Sequence, residues 1–238
     1  NTGLTPWTSS NSDLSLESYA IKGAIASVGV FQKNIKNFFG ATRYRATPEI
    51  LTALDLPVEQ EFLDYDVATT MNVGEAKITG FEFGYKQALT FLPKWASGVQ
   101  VFLNYTKMNL GGSNASDFSG FNPKNTSWGV QLTRPRYVVK LNCSIMGETR
   151  RTPVAANAAS GIPAGTYLWQ GDYRRYTLSG EYRFTRRLGV FGSFGDFDTK
   201  GFNPVQRRYA DPATPDYAKY QRIQEWGITV TLGIKGEF

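Results

Sequence analysis

The sequence has 238 residues, of which 14% are aromatic and 19% are charged, and its mean hydropathy is −0.32. No window approaches the roughly 18 consecutive apolar residues that a membrane-spanning helix needs, which excludes a helical membrane protein. The formal charge of +6 comes from scattered Lys and Arg, so no nucleic-acid partner is expected, and the absence of histidine removes the commonest general base and metal ligand. We therefore expect no enzymatic activity, no metal site and no cofactor.

Eight segments alternate apolar and polar residues with the period of two that is typical of a β-strand with one apolar face. They are residues 22–39, 76–91, 98–108, 124–133, 136–146, 170–184, 188–195 and 222–238. The polar positions of one segment include Arg175, Glu181 and Arg183, which a water-filled lumen accepts more readily than a dry core. The single cysteine, Cys143, lies on an apolar parity and is expected to be buried or lipid-facing.

The last segment has the most regular alternation. Its apolar positions are Trp226, Ile228, Val230, Leu232, Ile234 and Phe238. A strand of this kind that ends on an aromatic residue is typical of the closing strand of a bacterial outer-membrane barrel, because its outward side chains meet lipid and its inward ones meet water.

Short and long connections take turns between these segments. The short ones lie at 92–97, 134–135 and 185–187, and the long ones at 40–75, 109–123, 147–168 and 196–221. Outer-membrane barrels are built in this way, with short periplasmic turns and long extracellular loops. The sequence therefore predicts an all-β, antiparallel transmembrane barrel segment of about eight strands.

The long loops carry the candidate ligand-binding residues, and Pro48 opens a predicted short helix in the first of them. Arginines beside aromatic residues suit an anionic or hydroxyl-rich ligand, through bidentate hydrogen bonds and ring stacking. The alternative is that loop tips and interfacial belts are rich in Tyr and Arg whatever the ligand. The candidates are Arg43, Tyr44, Arg45, Arg150, Arg151, Trp169, Arg207, Arg208 and Tyr209.

Asn11-Ser-Asp-Leu-Ser-Leu-Glu17 and Val30-Phe-Gln-Lys-Asn-Ile-Lys-Asn-Phe38 resemble two motifs of TonB-dependent receptors. The first is similar to their Asn-Pro-x-Leu-x-x-Glu motif, and the second to their Val-Phe-Tyr-Lys-x-Ile-x-x-Phe strand. Asn72-Val-Gly-Glu-Ala-Lys-Ile-Thr-Gly-Phe-Glu82 resembles their Asn-x-Gly-x-Ala-x-x-x-Gly-x-Glu segment. Further matches follow in the family's order and at its spacing: Leu89-Thr-Phe-Leu-Pro93, Asn104-Tyr-Thr106 and the terminal Phe238.

The resemblance implies that residues 1–238 are the C-terminal part of a 22-stranded transporter barrel, with the plug domain and the earlier strands outside this sequence. It also implies that the terminal strand, from Trp226 to Phe238, is the signal read by the outer-membrane assembly machinery. One departure is visible, because the family places a full inward strand and a turn between Glu17 and Ala24, where this sequence has six residues. We expect either missing residues or a lost half-hairpin there.

The implied function is active uptake of a scarce nutrient, such as a metal chelate or an oligosaccharide, across the bacterial outer membrane. The implied partners are outer-membrane lipid, the plug and remaining strands, the TonB complex and, as a lid, a surface lipoprotein. Two alternatives stay open: a self-contained eight-stranded structural or adhesive barrel, and a soluble β-sandwich in which the apolar faces of 176–184 and 226–238 pack against each other.

Overall fold

The computed structural model describes residues 3–112, 120–154, 162, 166–197, 203–208, 215–224 and 227–236. The chain forms two compact units. Unit 1 comprises Asn1–Asn11, Lys33–Ile78 and Leu110–Phe118, and unit 2 comprises Ser12–Gln32, Thr79–Asn109 and Ser119–Phe238. None of the helices in the described ranges has the length and apolarity that crossing a membrane would require.

Strands make up most of the described chain. In chain order the elements are β1 (Thr8–Ser18), β2 (Ala24–Arg45), α1 (Pro48–Ala53), β3 (Asp66–Ala88), β4 (Val99–Gly111), β5 (Lys124–Thr133), β6 (Tyr137–Met146), β7 (Thr149–Pro153), β8 (Tyr167–Gln170), β9 (Tyr173–Arg183), β10 (Leu188–Gly195), β11 (Asn203–Arg208), α2 (Asp216–Lys219), β12 (Tyr220–Gln224) and β13 (Thr229–Gly236). Nine of the strands form one sheet in the order β1-β2-β3-β4-β5-β6-β9-β10-β13, and the other four form a second sheet.

The eight predicted strands are all present in the nine-stranded sheet, and β1 is an addition. β1 ends directly after Glu17, and residues 19–23 are the turn that joins it to β2. The expectation of missing residues or a lost half-hairpin between Glu17 and Ala24 stays a prediction. β2 and β3 extend into the predicted first loop. The predicted last strand divides, since its first residues belong to β12 in the second sheet and β13 begins at Thr229.

The pairing register confirms the predicted alternation across six strands of unit 2. One row of directly paired residues is entirely apolar: Val101, Val130, Leu141, Leu178, Phe194 and Val230. The row beside it is entirely polar: Gln100, Gln131, Lys140, Ser179, Ser193 and Thr231. Because successive side chains of a strand point to opposite sides, these rows define an apolar face and a polar face of the sheet.

The apolar face has no covering layer in the described structure. Val130 is 39% exposed and Leu178 is 45% exposed, although both lie in interior strands of the sheet. β9 and β13 are both neighbours of β10 in a single layer, so their apolar faces lie side by side and do not pack against each other. The soluble-sandwich alternative was therefore wrong. β1 and β13 lie at opposite edges of the described sheet. A closed barrel has no edge strands, so the described sheet is not the closed eight-stranded barrel of the other alternative.

Aromatic rings cover glycines on the polar face, which is an exception to its polarity. Phe102 pairs with Gly129, and a Cβ on Gly129 would lie 2.5 Å from the Phe102 ring. Phe191 covers its partner Gly233 in the same way. A ring laid over a cross-strand glycine shields the bare backbone, which explains why a polar row accepts phenylalanine.

Cys143 is buried, with 1% of its surface exposed, as its parity predicted. It is paired with Trp128 on β5 and Tyr176 on β9. The rings of these two neighbours meet edge-on with their centroids 6.1 Å apart, and Phe197 extends the cluster at 5.7 Å from Tyr176. The thiol is thus covered by aromatic rings on the apolar face.

The short connections of unit 2 lie at 19–23, 89–98, 134–136 and 184–187, at what we call the short-turn end of the sheet. Arg134 joins two of them, because its guanidinium donates to the Ser97 hydroxyl at 2.6 Å and to the carbonyl of Trp95. Gly98 has a φ of +84°, and its carbonyl accepts from the Thr133 N–H at 3.0 Å. Tight packing of adjacent turns therefore fixes this end of the sheet.

In unit 1 the first residue of an Asn-x-Gly-x-Ala string bridges three segments. The Asn72 amide donates to the carbonyls of Thr5 (2.8 Å) and Asn37 (2.5 Å), and its oxygen accepts from the Thr5 N–H at 2.9 Å. Asn37 has a φ of +57°, a left-handed conformation that interrupts the regular alternation of β2. Asn72 therefore stabilises an irregular point that the strand period does not predict.

The predicted short helix is confirmed as α1, which begins at Pro48. The Thr47 side chain caps it by accepting from the Ile50 N–H at 3.4 Å. The pKa of the Glu49 carboxyl is lowered by hydrogen bonds from the Thr47 side chain and from the backbone of Glu49, because both favour the carboxylate form.

Candidate ligand-binding site

The two longest connections of unit 2 form a separate four-stranded sheet, which we call the loop sheet. Its strand order is β12-β11-β8-β7, so the two strands of the 196–228 connection lie beside the two strands of the 147–172 connection, and β11 pairs with β8. The sequence predicted irregular loops here, but the backbone groups of these segments pair with one another as strands. The loop sheet lies at the end of the strands away from the short turns.

One face of the loop sheet stacks arginines on aromatic rings. Arg150 is paired with Trp169, and Arg208 is paired with Tyr167. The contacts run diagonally: the Arg150 guanidinium lies 5.0 Å from the Tyr167 ring centroid, and the Arg208 guanidinium lies 4.8 Å from that of Trp169. At these distances a cation is attracted by the ring face. The arrangement presents planar cationic and aromatic groups side by side.

Arg208 is held by a second set of contacts. Its two terminal nitrogens donate to the two oxygens of Glu148, one of them at 2.7 Å, and its Nε donates to Gln206 at 3.0 Å. The Arg208 and Glu148 side chains remain 33% and 38% exposed, so water screens the pair in part. With its charge balanced by Glu148, Arg208 serves to hold the Trp169 ring, and Arg150 is the second cation of this face.

The other candidates are placed elsewhere. Arg151 lies beside Arg150 on β7 and donates to the Gln170 side chain at 3.0 Å. Arg43, Tyr44 and Arg45 lie on β2 in unit 1, where the Arg45 Nε donates to the carbonyl of Leu63 at 3.0 Å. The side chains of Arg43, Tyr44 and Arg207 and the whole of Tyr209 lie outside the described part. The structure thus brings together Arg150, Trp169 and Arg208, with Arg151 adjacent.

The predicted assembly segment is described from Gly227 to Gly236. Val230, Leu232 and Ile234 lie on β13 and continue the apolar face of β10, and Ile228 precedes them. Trp226 and Phe238 lie outside the described residues, so their role as a signal stays a prediction.

Sequence reasoning missed three contributors to the stacked face: Glu148, Tyr167 and Gln206. Tyr167 and Trp169 share a parity in a short aromatic run, which was a usable signal. Glu148 gave none, because its partner Arg208 is 60 residues away and only the pairing of β8 with β11 brings the two connections together. Elsewhere in the described ranges, no three His, Cys, Asp or Glu side chains cluster as metal ligands would.

The fold and the alternating faces agree with one known family. The family described as TonB dependent receptor-like, beta-barrel matches residues 1–234. The chain belongs to this family. TonB-dependent receptors are outer-membrane proteins of Gram-negative bacteria that act as transporters and not as enzymes, and they have a plug domain and work with TonB. None of the curated proteins matches the sequence.

Solved TonB-dependent receptors share the fold at low identity. A mutant of the ferric enterobactin receptor PfeA of Pseudomonas aeruginosa is 16% identical, with a TM-score of 0.63, over 100% of this chain and 32% of that one. The ferric-catecholate import receptor Fiu of E. coli K12 is 14% identical, with a TM-score of 0.57, over 100% and 29%. The copper transporter OprC is 13% identical, with a TM-score of 0.62, over 100% and 32%. The chain thus spans about a third of the length of these receptors, and the likeness shows the fold alone.

Proposed function

We propose that this TonB-dependent receptor chain forms part of the wall of an outer-membrane transporter whose cargo is an anionic metal chelate. The stacked face of the loop sheet carries the proposal. Arg150 provides a planar cation beside the half-buried rings of Tyr167 and Trp169, and Arg208 keeps the Trp169 ring in place. A ferric catecholate has negative charge, flat rings and hydrogen-bond acceptors, and each of these finds a matching group on this face.

The names of the neighbouring structures point in the same direction. PfeA and Fiu are receptors for ferric enterobactin and ferric catecholates, and OprC is a copper transporter, so three proteins of this fold handle metals. Arg151 and Arg207 are proposed as further contacts from the loop sheet, and Arg43, Tyr44, Arg45 and Tyr209 as contacts from other loop segments. The second candidate cargo is an oligosaccharide, because the ring faces of Tyr167 and Trp169 would also stack on sugars.

The orientation follows from the lengths of the connections. We place the short-turn end in the periplasm and the loop sheet outside the cell, with the apolar face in lipid and the polar face toward the lumen. We further propose that these strands are the C-terminal part of a larger barrel that holds a plug, is driven by TonB and, in one variant, carries a surface lipoprotein as a lid. The end of β13 would then be read during outer-membrane assembly.

The test is a titration of the complete, detergent-extracted protein, followed by tryptophan fluorescence. A ferric tris-catecholate is expected to quench part of the emission saturably, and Trp169→Phe is expected to remove that part of the signal while keeping an aromatic ring. Saturable binding of maltoheptaose with no response to the chelate would replace the first cargo by the second. If neither probe binds, the proposed function is wrong.

A further inference from the structure

The apolar face of unit 2 contains a depression across four strands. The residues of two adjacent cross-strand rows line it, Tyr137–Tyr182–Val190–Ile234 and Val139–Gly180–Gly192–Leu232. In the second row two glycines are direct neighbours, so the middle of the row has no side chain. The resulting cavity has a volume of about 740 Å³.

The floor of the depression is open at Gly180. The Tyr182 ring packs edge-on against Phe184, with centroids 5.2 Å apart, and so lies toward the short-turn end. Leu232 leans over Gly192, where an added Cβ would come within 2.9 Å of it. By contrast, an added Cβ on Gly180 would have its nearest described atom at 3.5 Å, which is an ordinary van der Waals distance. A chain-like apolar ligand could therefore lie on the bare backbone of Gly180.

The distance across the membrane from the depression to the short-turn end corresponds to the thickness of one leaflet of a bilayer. Gly180 lies six residues before Arg186 in the turn that follows β9. At about 3.3 Å per residue and a tilt of about 45°, this separation is roughly 14 Å of depth. Half of a hydrocarbon core of about 30 Å is roughly 15 Å. The depression and the short-turn end thus match the two ends of a single phospholipid.

The short-turn end beside the depression is basic. Arg136, Arg186 and Arg187 are exposed, and the N–H of Arg183 donates to the carbonyl of Arg136 at 2.7 Å, which holds the two turns side by side. On the polar face, Glu181 pairs with the Arg183 side chain at 2.8 Å and with Lys235 at 4.0 Å. No acidic residue of the described ranges forms an ion pair with the three exposed arginines, although Arg186 and Arg187 also border a small polar pocket with Glu181.

We propose that this surface binds one phospholipid with an anionic headgroup from the periplasmic leaflet. One acyl chain lies over Gly180, between the Tyr182–Val190 pair and the Leu178–Phe194 pair, and the phosphate lies at the arginines of the turns. Clusters of basic residues at the membrane surface select anionic over zwitterionic lipid by charge. The proposal rests on the proposed function only in that it requires the chain to stand in the outer membrane.

The experiment exposes the complete, detergent-extracted protein to equimolar phosphatidylglycerol and phosphatidylethanolamine with identical acyl chains and measures the retained lipid by native mass spectrometry. The wild type is expected to retain phosphatidylglycerol preferentially. Arg186→Gln with Arg187→Gln should lower this preference by roughly fivefold for each arginine, since each juxtamembrane charge contributes about that factor. The matched control, Arg151→Gln with Arg222→Gln, removes two charges from the loop sheet and should leave the preference unchanged.

The acyl-chain contact has its own variant. Gly180→Leu fills the depression without a backbone clash and should reduce retention of both lipids. The control is Ala26→Leu, which enlarges a small residue on the apolar parity of β2 and should leave retention unchanged.

Equal retention of both lipids by the wild type, or equal behaviour of the two double variants, would overturn the proposal. Displacement of the lipid by inorganic phosphate would indicate a free-anion site instead. Chelate binding and insertion into vesicles are measured on the same samples, so a protein that inserts and binds chelate but shows no lipid preference refutes this inference alone.

Discussion

Arg208→Ala is expected to weaken binding of a ferric tris-catecholate by on the order of 10- to 100-fold while the barrel strands stay folded. The substitution leaves the Glu148 carboxylate without its bidentate partner and removes the cation that lies 4.8 Å from the Trp169 ring. The stacked face then loses its fixed geometry, and part of the binding free energy of the chelate is lost in ordering its side chains. The measurements are a binding titration and hydrogen exchange of residues 149–153 and 167–170.

The matched control for this variant is Arg151→Ala. Arg151 has the same charge and lies next to the stacked face, but the contact seen for it is a hydrogen bond to Gln170 on an exposed side chain. We expect a loss of binding of less than about fivefold and unchanged hydrogen exchange. If the two variants weakened binding equally, the loop sheet would contribute only net charge, and the positioning role of Arg208 would be wrong.

Gly98→Ala is expected to lower the free energy of unfolding by about 3 kcal/mol or more. Gly98 has a φ of +84°, and a Cβ there would overlap the carbonyl oxygen of Thr133 on the neighbouring strand. Relief of this overlap requires the 89–98 turn to move away from β5, which breaks the hydrogen bond from Thr133 to Gly98. Urea unfolding of the complete protein in lipid vesicles measures the loss.

Gly120→Ala separates backbone strain from the steric clash. Gly120 has a similar φ of +78°, but no atom of the residues that the structure describes lies within 4 Å of the position that its Cβ would take. Its replacement should cost only the left-handed conformation, about 1 kcal/mol. Equal losses for the two glycines would contradict the close packing of turns at the short-turn end.

The alternation of residues located the central strands well because two solvents act on them. β5 was predicted as 124–133 and is Lys124–Thr133, since each of its residues meets either an apolar or a polar environment. β1 was missed because its sequence, Thr8 to Ser18, is mostly polar and Leu14 and Leu16 alone mark an apolar parity. Asn37 breaks the period of β2 with a positive φ that no pattern of apolar residues encodes.

The candidate site was only partly predictable. The arginines and Trp169 were identified from their types, but the loop sheet that aligns them was not. In the orientation that we propose, its strands lie outside the membrane, where no second solvent imposes a period on the sequence. The pairings of β8 with β7 and β11 determine which side chains meet, and these pairings join segments that are far apart in the chain. The sequence alone therefore does not distinguish Arg150 from Arg208. In the structure, Arg208 forms an ion pair with Glu148 from the other connection.

The central claim is that one face of this sheet meets lipid and the other meets water. Cysteine substitutions at Val130, Leu178, Gln131 and Ser179 test it, with a spin label on each in the complete protein in lipid vesicles; the natural Cys143 is 1% exposed and should stay unlabelled. Labels at Val130 and Leu178 should be relaxed by oxygen dissolved in the bilayer, and labels at Gln131 and Ser179 by a water-soluble nickel complex. Equal access of the nickel complex to all four positions would contradict the membrane barrel.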